Sequence, residues 1–554
     1  MWNGRRWRAC AALGALWLCG VAGGADFRER LPQDEIIYFL LPDRFDNGDT
    51  ANDRGGLRGG RLQTGFDPSD ANFYHGGDLQ GLLARLDYIQ QMGATAIWLG
   101  PIFKNKPVQG TPGAEQAGYH GYWITDFTRV DPHFGNEDAL RALVTAVHAR
   151  GMKLYLDIVV NHTADVIAYR ECPGGGCSYR SHADYPNTGH AYTPYIPKGE
   201  EHSKVPAWLN DPIYYHNRGN TTFEGESSLY GDFAGLDDLM TENPRVVQGF
   251  IDIYGAWIER FGIDGFRIDT ARHVNPEFWQ AFVPAMLAKA RAKGIPNFHI
   301  FGEVSTAAVD VALLARYTRI DRLPAVLDFA FAAAVRRTIA GSDGTDILAR
   351  LFADDVLYEG GENTALQLPT FVSNHDDGRF AFRVRAARPG ISDAEVTKRV
   401  LLAHAMLMTL RGVPVIYYGD EQGFAGTGGY SEARQDMFPE HFNPIHPLYI
   451  RFSEMARIRN SQPALRHGHQ VVRSSSPEPG LFAVSRIDPV DGRELLVAFN
   501  TSTSAIVARV QVNGGAQHFS SLHGQCDPEV IAPGSYRVAI APLDYVVCAT
   551  GGGG

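Results

Sequence analysis

Short apolar runs alternate with amphipathic stretches from about residue 35 to residue 417. The runs predict buried strands, and the amphipathic stretches between them predict helices. Eight strand–helix units predict an α/β fold, a (β/α)8 TIM barrel. The predicted strands are Ile36–Leu40, Ala96–Leu99, Lys153–Ile158, Gly265–Ile268, Phe298–Gly302, Ala325–Leu327, Leu368–Phe371 and Val415–Tyr417, and the clearest helices are Leu79–Met92, Asp138–Arg150, Val246–Phe261 and Asp393–Thr409.

Two regions depart from this repeat. Residues 163–233 are rich in Gly, Pro, Asn and Tyr, which predicts an irregular subdomain inserted after the third strand. After residue 462 short strands are separated by turns, which predicts an all-β sandwich over residues 463–550. The barrel is therefore assigned to residues 26–162 and 234–462. The strands predicted for the sandwich are Val471–Val472, Leu481–Arg486, Glu494–Asn500, Ala505–Val512 and Ser535–Ala541.

The first 25 residues have a different pattern. A cluster of three arginines is followed by an apolar run over Ala9–Cys19 and by small residues up to Ala25. This order is typical of a secretory signal peptide, and the run is too short to span a bilayer. A membrane anchor is the alternative, and Arg5-Arg6 also allows twin-arginine export. We expect an exported protein, with periplasmic and extracellular locations both open.

Composition and charge narrow the classes of partner. Of the 554 residues, 44% are hydrophobic and 20% are charged, which is ordinary for a globular enzyme and excludes a disordered chain or a polytopic membrane protein. Removing a leader with three Arg and no acid changes the net charge from −11 to −14. An acidic protein is a poor partner for nucleic acid or an anionic membrane, so we expect an uncharged substrate. We also expect the protein to be a monomer.

Cysteine usage agrees with export. Six cysteines minus the two in the leader leave two local pairs, Cys172 with Cys177 and Cys526 with Cys548. An even number of cysteines in an exported chain predicts two disulfides. A metal site is the alternative for the first pair, although no second pair of ligands lies nearby at zinc spacing.

Polar side chains follow four of the predicted strands. The carboxyl ends of barrel strands meet at one mouth, so we expect these side chains to lie close together. A lone carboxylate at a strand end usually caps a loop, but three carboxylates gathered at one mouth point to catalysis. The segments are Asp157-Ile-Val-Val-Asn161-His162, Gly265-Phe-Arg267-Ile-Asp269-Thr-Ala-Arg272-His273, Phe301-Gly-Glu303 and Ser373-Asn-His375-Asp376-Asp377.

These segments resemble the four ordered signature regions of the α-amylase family, glycoside hydrolase family 13. Residues 231–239 and 412–421 are similar to two further regions of that family. The resemblance implies a retaining glycoside hydrolase that cleaves α-1,4-glucosidic bonds in starch and maltodextrins. It implies that Asp269 is the nucleophile, that Glu303 is the general acid and base, and that Asp376 grips sugar hydroxyls.

The resemblance also implies the residues that contact substrate. Arg267 shares a strand face with Asp269 and is expected to keep that carboxylate ionised, while Glu303 is expected to have a raised pKa. Many family members have Lys at the position of Arg272. A planar guanidinium therefore replaces a compact ammonium group on the side of the site where the acceptor is expected to bind. The implied contacts are Tyr122, His162, Arg267, Arg272, His273, His375 and Arg434.

A cluster of oxygen donors precedes the first predicted helix. Ca²⁺ prefers six to eight oxygen ligands, and the cluster resembles a calcium site of cyclodextrin-forming and maltogenic relatives. The alternative is an ordinary turn rich in Asn and Asp. The implied ligands are Asn47, Asp49, Asn52, Asp53, the Gly76 carbonyl and Asp78.

Three functions fit these residues. The first is α-amylase activity. The second is a cyclomaltodextrinase or α-glucanotransferase, which would use the same catalytic residues with another acceptor. No β-domain is expected before residue 35 or after the sandwich, which disfavours both enzymes of the second class. The third is a non-catalytic sugar-binding relative, which the three carboxylates disfavour.

Overall fold

Eight parallel strands surround one axis in the computed structural model, which describes residues 27–173, 175–184, 191–438 and 442–550. When the barrel strands are numbered along the chain, each of strands one to five pairs with the next one. Strand one also pairs with strand eight, and strand eight pairs with strand seven. Strands six and seven are bridged where the Asp328 N–H donates to the Pro369 carbonyl at 2.9 Å. The predicted TIM barrel is confirmed, with strands Ile37–Leu40, Ala96–Leu99, Lys153–Ile158, Gly265–Ile268, His299–Gly302, Ala325–Val326, Pro369–Thr370 and Val413–Tyr417.

The barrel strands are buried on both faces, which explains their nearly continuous apolar sequences. The fourth strand requires glycine at its start. A Cβ on Gly265 would lie 2.5 Å from the His299 carbonyl oxygen and 2.7 Å from the Tyr155 ring. This close approach sets the register in which Arg267 lies opposite Asp157 of the third strand.

The helices surround the strands, and one differs from its prediction. The stretch Leu79–Met92 forms two helices that meet at Arg85. The Arg85 side chain bonds Asp46 at 2.5 Å and its guanidinium lies 4.2 Å from the Phe442 ring, so distant partners accompany the break. The helices are Arg61–Thr64, Leu79–Ala84, Leu86–Met92, Glu137–Ala149, Ser227–Tyr230, Pro244–Phe261, Pro276–Ala292, Val311–Arg319, Phe329–Val335, Asp346–Ala353, Glu362–Ala365, Phe380–Ala387, Asp393–Thr409, Pro447–Ser461 and Pro463–His467.

The insertion after the third strand is anchored by a short antiparallel pair, His162–Thr163 with Asp237–Asp238. Polar contacts hold its base together. The Asp237 carboxylate accepts from the backbone N–H of Val166 and Ile167, each at 3.1 Å, and is paired with buried Lys204 at 2.5 Å. Further short strands of the chain are Phe103–Asn105, Val108–Gln109, Gln116–Ala117, Ile124–Val130, Ala168–Tyr169 and Pro194–Tyr195.

The C-terminal region contains antiparallel strands in a five-stranded and a two-stranded sheet. Its strands are His469–Ser474, Leu481–Ile487, Glu494–Asn500, Ile506–Gln511, Phe519–His523, Ser535–Ile540 and Asp544–Thr550, of which the fifth and seventh were not predicted. Two buried arginines join it to the barrel. Arg486 donates to the carbonyl of Thr409, at the end of a barrel helix. Arg459, in the barrel helix Pro447–Ser461, donates to the neighbouring carbonyl of Met408 and to the carbonyl of Leu465, at the start of the C-terminal region.

Both predicted cysteine pairs are bonded. One disulfide joins Cys172 to Cys177, five residues apart in the insertion, and the other joins Cys526 to Cys548 of the last strand. The predicted leader, residues 1–25, lies outside the described residues. Within the part that the structure describes, no helix has the length and apolar character needed to cross a membrane.

Candidate active site

A cleft of about 940 Å³ opens at the carboxyl ends of the barrel strands. Its walls come from the strand ends, from the insertion and from residues 429–434 after the eighth strand. The structure brings together there eight of the residues singled out from the sequence: Tyr122, His162, Asp269, Arg272, His273, Glu303, Asp376 and Arg434. Arg267 and His375 line a smaller cavity that shares Glu303 and Asp376 with the cleft.

The Arg267 guanidinium is the centre of the site. Its Nη1 lies 2.9 Å from Asp269 Oδ1 and its Nη2 lies 2.8 Å from Glu303 Oε2. A third carboxylate, Asp157, lies 2.8 Å from Nη1. Arg267 is 1% exposed, so water screens these charges little. One planar cation therefore orients two carboxyl groups toward each other.

Burial decides the protonation of both carboxyl groups. It raises the pKa of Glu303 to about 8, although Arg267 pulls that pKa down. It also raises the pKa of Asp269 to about 7, again against the attraction of Arg267. The expected rise at Glu303 is found. Arg267 lowers the pKa of Asp269, in the direction expected from the sequence, but loss of water outweighs the ion pair and the net shift is upward.

The pKa of Asp376 is shifted in the opposite direction. Burial would raise its pKa, yet neighbouring charged groups, Arg434 among them, hold that pKa below its usual value. The Arg434 Nη2 atom lies 2.9 Å from Asp376 Oδ1, and the same side chain donates to the His375 carbonyl at 3.0 Å. Asp376 is therefore an ionised acceptor at neutral pH, suited to accept hydrogen bonds from hydroxyl groups.

Tyr122 and two histidines form the wall around the carboxylates. The Tyr122 hydroxyl lies 3.1 Å from Asp157 Oδ2 and 2.9 Å from His375 Nε2. Burial lowers the pKa of His162 and of His375 to about 3, so both rings are neutral. His162 Nε2 is buried without a partner among the described atoms. It is available for a ligand hydroxyl, because His162 lines the cleft.

Arg272 connects the cleft wall to the Glu303 segment. It donates from its side chain to the Ser305 carbonyl at 2.8 Å and from its backbone N–H to the Glu303 carbonyl at 3.2 Å. The neighbouring His273 ring meets the Phe233 ring edge-on at 5.1 Å, and Phe223 meets Phe233 at 5.3 Å. A cation and a group of packed rings therefore line the same cleft.

Sequence reasoning assigned no role to several residues of the site. Asp157 lies in a segment already singled out, and strand alternation could have identified it as an inward partner of Arg267. Tyr119, whose hydroxyl accepts from Arg434 at 3.2 Å, adjoins the recognised Tyr122 segment. Phe223 and Phe233 gave no signal, because the insertion has no periodic pattern from which their orientation could be derived.

The six predicted calcium ligands form one cluster. Asn47 Nδ2 donates to Asp53 Oδ1 at 2.9 Å, and burial together with nearby Asp78 and Asp49 raises the pKa of Asp53. The side-chain oxygens of Asn47 and Asn52 are buried and lack a partner among the described atoms. Two orphaned oxygens beside carboxylates fit a cation that binds oxygen.

Asp78 is engaged differently from its neighbours. Its carboxylate accepts from the N–H groups of Gly48, Asp49 and Gly81 at 3.1, 2.9 and 2.7 Å, and from Asn52 Nδ2 at 2.9 Å. Gly76 packs so closely that a Cβ would lie 2.7 Å from Asn47 Nδ2. In the described chain, no group of three His, Cys, Asp or Glu side chains is arranged to hold a metal, so the Asn oxygens are essential to this candidate.

Comparisons with known proteins agree on a family. The model of the α-amylase catalytic domain matches residues 39–443. An α-amylase from Streptomyces lividans is 43% identical over 510 residues, which cover 84% of this chain and 55% of the relative. A β/α-amylase from Paenibacillus polymyxa is 30% identical over 523 residues, which cover 93% of this chain and 37% of the relative. The chain thus spans about half or less of the length of these relatives.

Solved structures give the same result for the fold. The Anoxybacillus α-amylase superposes with a TM-score of 0.74 at 28% identity, covering 95% of this chain and 100% of that one. A cyclomaltodextrin glucanotransferase with a three-domain ABC distribution superposes with a TM-score of 0.76 at 26% identity, covering 93% and 99%.

Proposed function

The chain belongs to the α-amylase family of glycoside hydrolases, and we propose that it cleaves α-1,4-glucosidic bonds in starch and maltodextrins with retention of configuration. The observation that carries the proposal is the pair of carboxyl groups on adjacent nitrogens of Arg267. Retaining glycosidases need two carboxyl groups roughly 5–5.5 Å apart, one as nucleophile and one as acid. The raised pKa of Glu303, about 8, supports its role as the acid, because the group can then carry a proton near neutral pH.

In the first step Asp269 attacks the anomeric carbon. The bond from that carbon to the bridging oxygen breaks, and the oxygen takes the proton of Glu303 and leaves with the reducing-end fragment. A covalent ester joins the remaining glucan to Asp269. Arg267 contacts both carboxyl groups throughout, so the negative charge that moves from Asp269 to Glu303 stays beside the same cation.

In the second step water replaces the sugar that left. Glu303, now ionised, takes a proton from the water while the oxygen of that water bonds to the anomeric carbon. The ester bond to Asp269 breaks, and Asp269 and Glu303 return to their starting states. Each step inverts the configuration at the anomeric carbon, so the two steps together retain it. Asp376, His162 and His375 are proposed to bind hydroxyl groups of the reacting ring, and Tyr122 is proposed to stack on it.

Activity is expected to depend on pH at both ends of a narrow range. Below the pKa of Asp269, about 7, protonation removes the nucleophile, so kcat/KM falls as the pH is lowered. Above the pKa of Glu303, about 8, loss of its proton removes the acid, so kcat/KM falls as the pH is raised. Initial rates on maltoheptaose from pH 5 to 10 should give a bell-shaped profile of kcat/KM against pH, with circular dichroism as a control for folding. Constant activity up to pH 10 would exclude Glu303 as the acid.

A calcium ion is proposed at the cluster before the first helix of the α/β repeat. Asn47, Asp49, Asn52, Asp53, the Gly76 carbonyl and Asp78 would hold it, and it would stabilise the loop at the edge of the cleft. Asn72, which lines the cleft, lies between this loop and Gly76 in the sequence. The ion has no proposed part in bond cleavage.

Calcium removal is expected to lower the melting temperature by about 2 °C, because a ligand at about 100 times its Kd stabilises a fold by about 2.7 kcal/mol and a chain of this length has a large unfolding entropy. Added Ca²⁺ should restore the loss. The Asn52→Ala variant should show no response to chelator or to Ca²⁺, whereas a variant outside the cluster, Asp491→Ala, should respond as the parent does. An unchanged melting temperature of the parent in chelator would contradict the site.

A second function, transfer of the glucan to a sugar acceptor, is favoured by one observation. Phe223 and Phe233 line the cleft and pack against His273, the neighbour of Arg272, which is expected to face the acceptor. Incubation with starch, β-cyclodextrin, pullulan and maltotriose separates the candidates. Random shortening of starch supports α-amylase action, preference for the ring supports cyclomaltodextrinase action, and products longer than maltotriose show transfer. NMR of the first product should show the α-anomer if configuration is retained.

We further propose that the protein is exported and acts as a monomer on α-glucans, without nucleic acid or membrane partners. The two disulfides support an oxidising compartment. The barrel over residues 26–162 and 234–462, the inserted subdomain over residues 163–233 and the sandwich over residues 463–550 are proposed as its structural units.

A further inference from the structure

His404, on the helix Asp393–Thr409, and Asp420, on the loop after the eighth barrel strand, face each other without a hydrogen bond. His404 Nε2 lies 3.6 Å from Asp420 Oδ2, which is longer than a hydrogen bond between such groups. The two residues are only 1% and 5% exposed, and both atoms lack a hydrogen-bond partner among the described atoms. Because buried polar atoms nearly always have a partner, this gap points to a group that bridges them.

The other ring nitrogen of His404 fixes where its proton lies. Nδ1 is 2.8 Å from the Val400 carbonyl oxygen, and a carbonyl can only accept, so Nδ1 carries the proton. In the neutral ring Nε2 therefore presents a lone pair to a carboxylate oxygen. The ring is stacked on Phe452 at 4.2 Å, which fixes its orientation. Two acceptors so close together require a cation or a donor between them.

The length of the gap favours a metal ion over a water molecule. A water bonded to both atoms at about 2.8 Å would need an angle of about 80° between its two hydrogen bonds, well below the angle between its O–H bonds. A Zn²⁺ ion at about 2.1 Å from both atoms would have an angle of about 120°, close to tetrahedral. A doubly protonated ring would instead approach the carboxylate to about 2.8 Å, shorter than the 3.6 Å observed.

Both atoms are supported as metal ligands usually are. A histidine that binds a metal through one nitrogen commonly donates from the other to a backbone carbonyl, as His404 does to Val400. The second oxygen of Asp420, Oδ1, accepts from Arg379 Nη1 at 2.9 Å, and that nitrogen also donates to the Tyr418 carbonyl. These contacts orient Asp420 and leave Oδ2 for a ligand. The charge of Arg379 opposes a second cation, so we expect moderate affinity.

A cavity of about 90 Å³ is lined by both residues. This is several times the roughly 10–15 Å³ that one water molecule requires. No third His, Cys, Asp or Glu joins the pair within the described ranges, so water would complete the four-coordinate geometry. The ion pair of Arg385 with Asp393, which is exposed, also lines the cavity and gives it a path to solvent. The cavity shares no lining residue with the active-site cleft.

We propose that His404 Nε2 and Asp420 Oδ2 form a site for a divalent transition-metal ion, best suited to Zn²⁺, with water as its other ligands. Imidazole and carboxylate are ligands that Zn²⁺ accepts, whereas the calcium cluster proposed above offers only oxygen. With two ligands from the protein, the ion would exchange with the medium. Bound Zn²⁺ would link the helix Asp393–Thr409 to the loop after the eighth strand and stabilise their packing.

Calorimetric titration of the full chain with ZnCl₂, at saturating Ca²⁺, tests the proposal. The tightest Zn²⁺ should raise the melting temperature by about 2 °C at about 100 times its Kd. His404→Phe keeps a ring to stack on Phe452 but removes the ligand, so it should raise that Kd by about 100-fold or more, since even outer contacts of a ligand are worth about 10–100-fold. His182→Gln is the matched control, because exposed His182 already bonds Glu226 at 2.9 Å, and it should bind Zn²⁺ as the parent does.

Anomalous diffraction from crystals of the parent grown with ZnCl₂ locates the ion even if His404→Phe fails to fold. A peak between His404 and Asp420 would support the site. Zinc found only at other histidines would overturn it, as would equal affinity of the parent and His404→Phe for Zn²⁺. A parent that hydrolyses starch but binds no zinc would overturn this site and leave the proposed function intact.

Discussion

Replacing Asp269 by Asn lowers kcat on starch by about 10⁴-fold or more, because an amide cannot form the ester to the anomeric carbon. The loss should be equally large with α-maltosyl fluoride, since fluoride leaves without a proton but the anomeric carbon still requires attack. Release of reducing ends and release of fluoride measure the two rates. The Asn side chain is nearly the same size and keeps a contact for Arg267, so the fold should be retained.

Two controls accompany this variant. Asp491→Asn makes the same chemical change in the C-terminal sandwich, where the carboxylate pairs with Arg493 on the surface, and it should leave both rates unchanged. The melting temperature of Asp269→Asn should remain close to that of the parent. Near-normal hydrolysis of either substrate by Asp269→Asn would remove Asp269 from the nucleophile's role.

Glu303→Gln is expected to lower kcat on starch by about 10²–10⁴-fold, because the bridging oxygen then leaves without a proton. With α-maltosyl fluoride the first step needs no acid, so fluoride should be released in a burst. The second step lacks its base, so the ester on Asp269 should accumulate. Mass spectrometry of the quenched protein should show one added maltosyl group, and peptide mapping should locate it at Asp269.

The difference between substrates is what separates acid from nucleophile. A surface carboxylate, Glu359, pairs with Arg322 away from the cleft, and Glu359→Gln should hydrolyse both substrates as the parent does. If Glu303→Gln slowed the burst of fluoride as much as it slowed starch hydrolysis, Glu303 would act on binding or folding and would not be the proton donor.

Local sequence patterns were sufficient to predict the strands of the barrel. The strands Ala96–Leu99, Lys153–Ile158 and Gly265–Ile268 have the predicted bounds, because each is a short apolar run buried on both faces. Contacts between distant segments were not predictable. The helix break at Arg85 accompanies Asp46 and Phe442, and the fifth and seventh strands of the sandwich pair with each other across a turn-rich segment that includes Cys526.

The candidate site was likewise predictable only in part. The resemblance supplied the carboxylates and the residues around them, and the structure gathers most of these in one cleft. The pKa of Asp269 was not predictable from Arg267 alone, since it depends on how completely the folded chain removes water.

The arginines that join the barrel to the sandwich have a consequence for how the protein unfolds. Arg486, a residue of the sandwich, and Arg459, just before it, bond the carbonyls at the end of the helix Asp393–Thr409. Pulling the sandwich away would leave a buried cation on one side and a frayed helix end on the other. We therefore expect the sandwich and the barrel to unfold together, because a break between them would destabilise both.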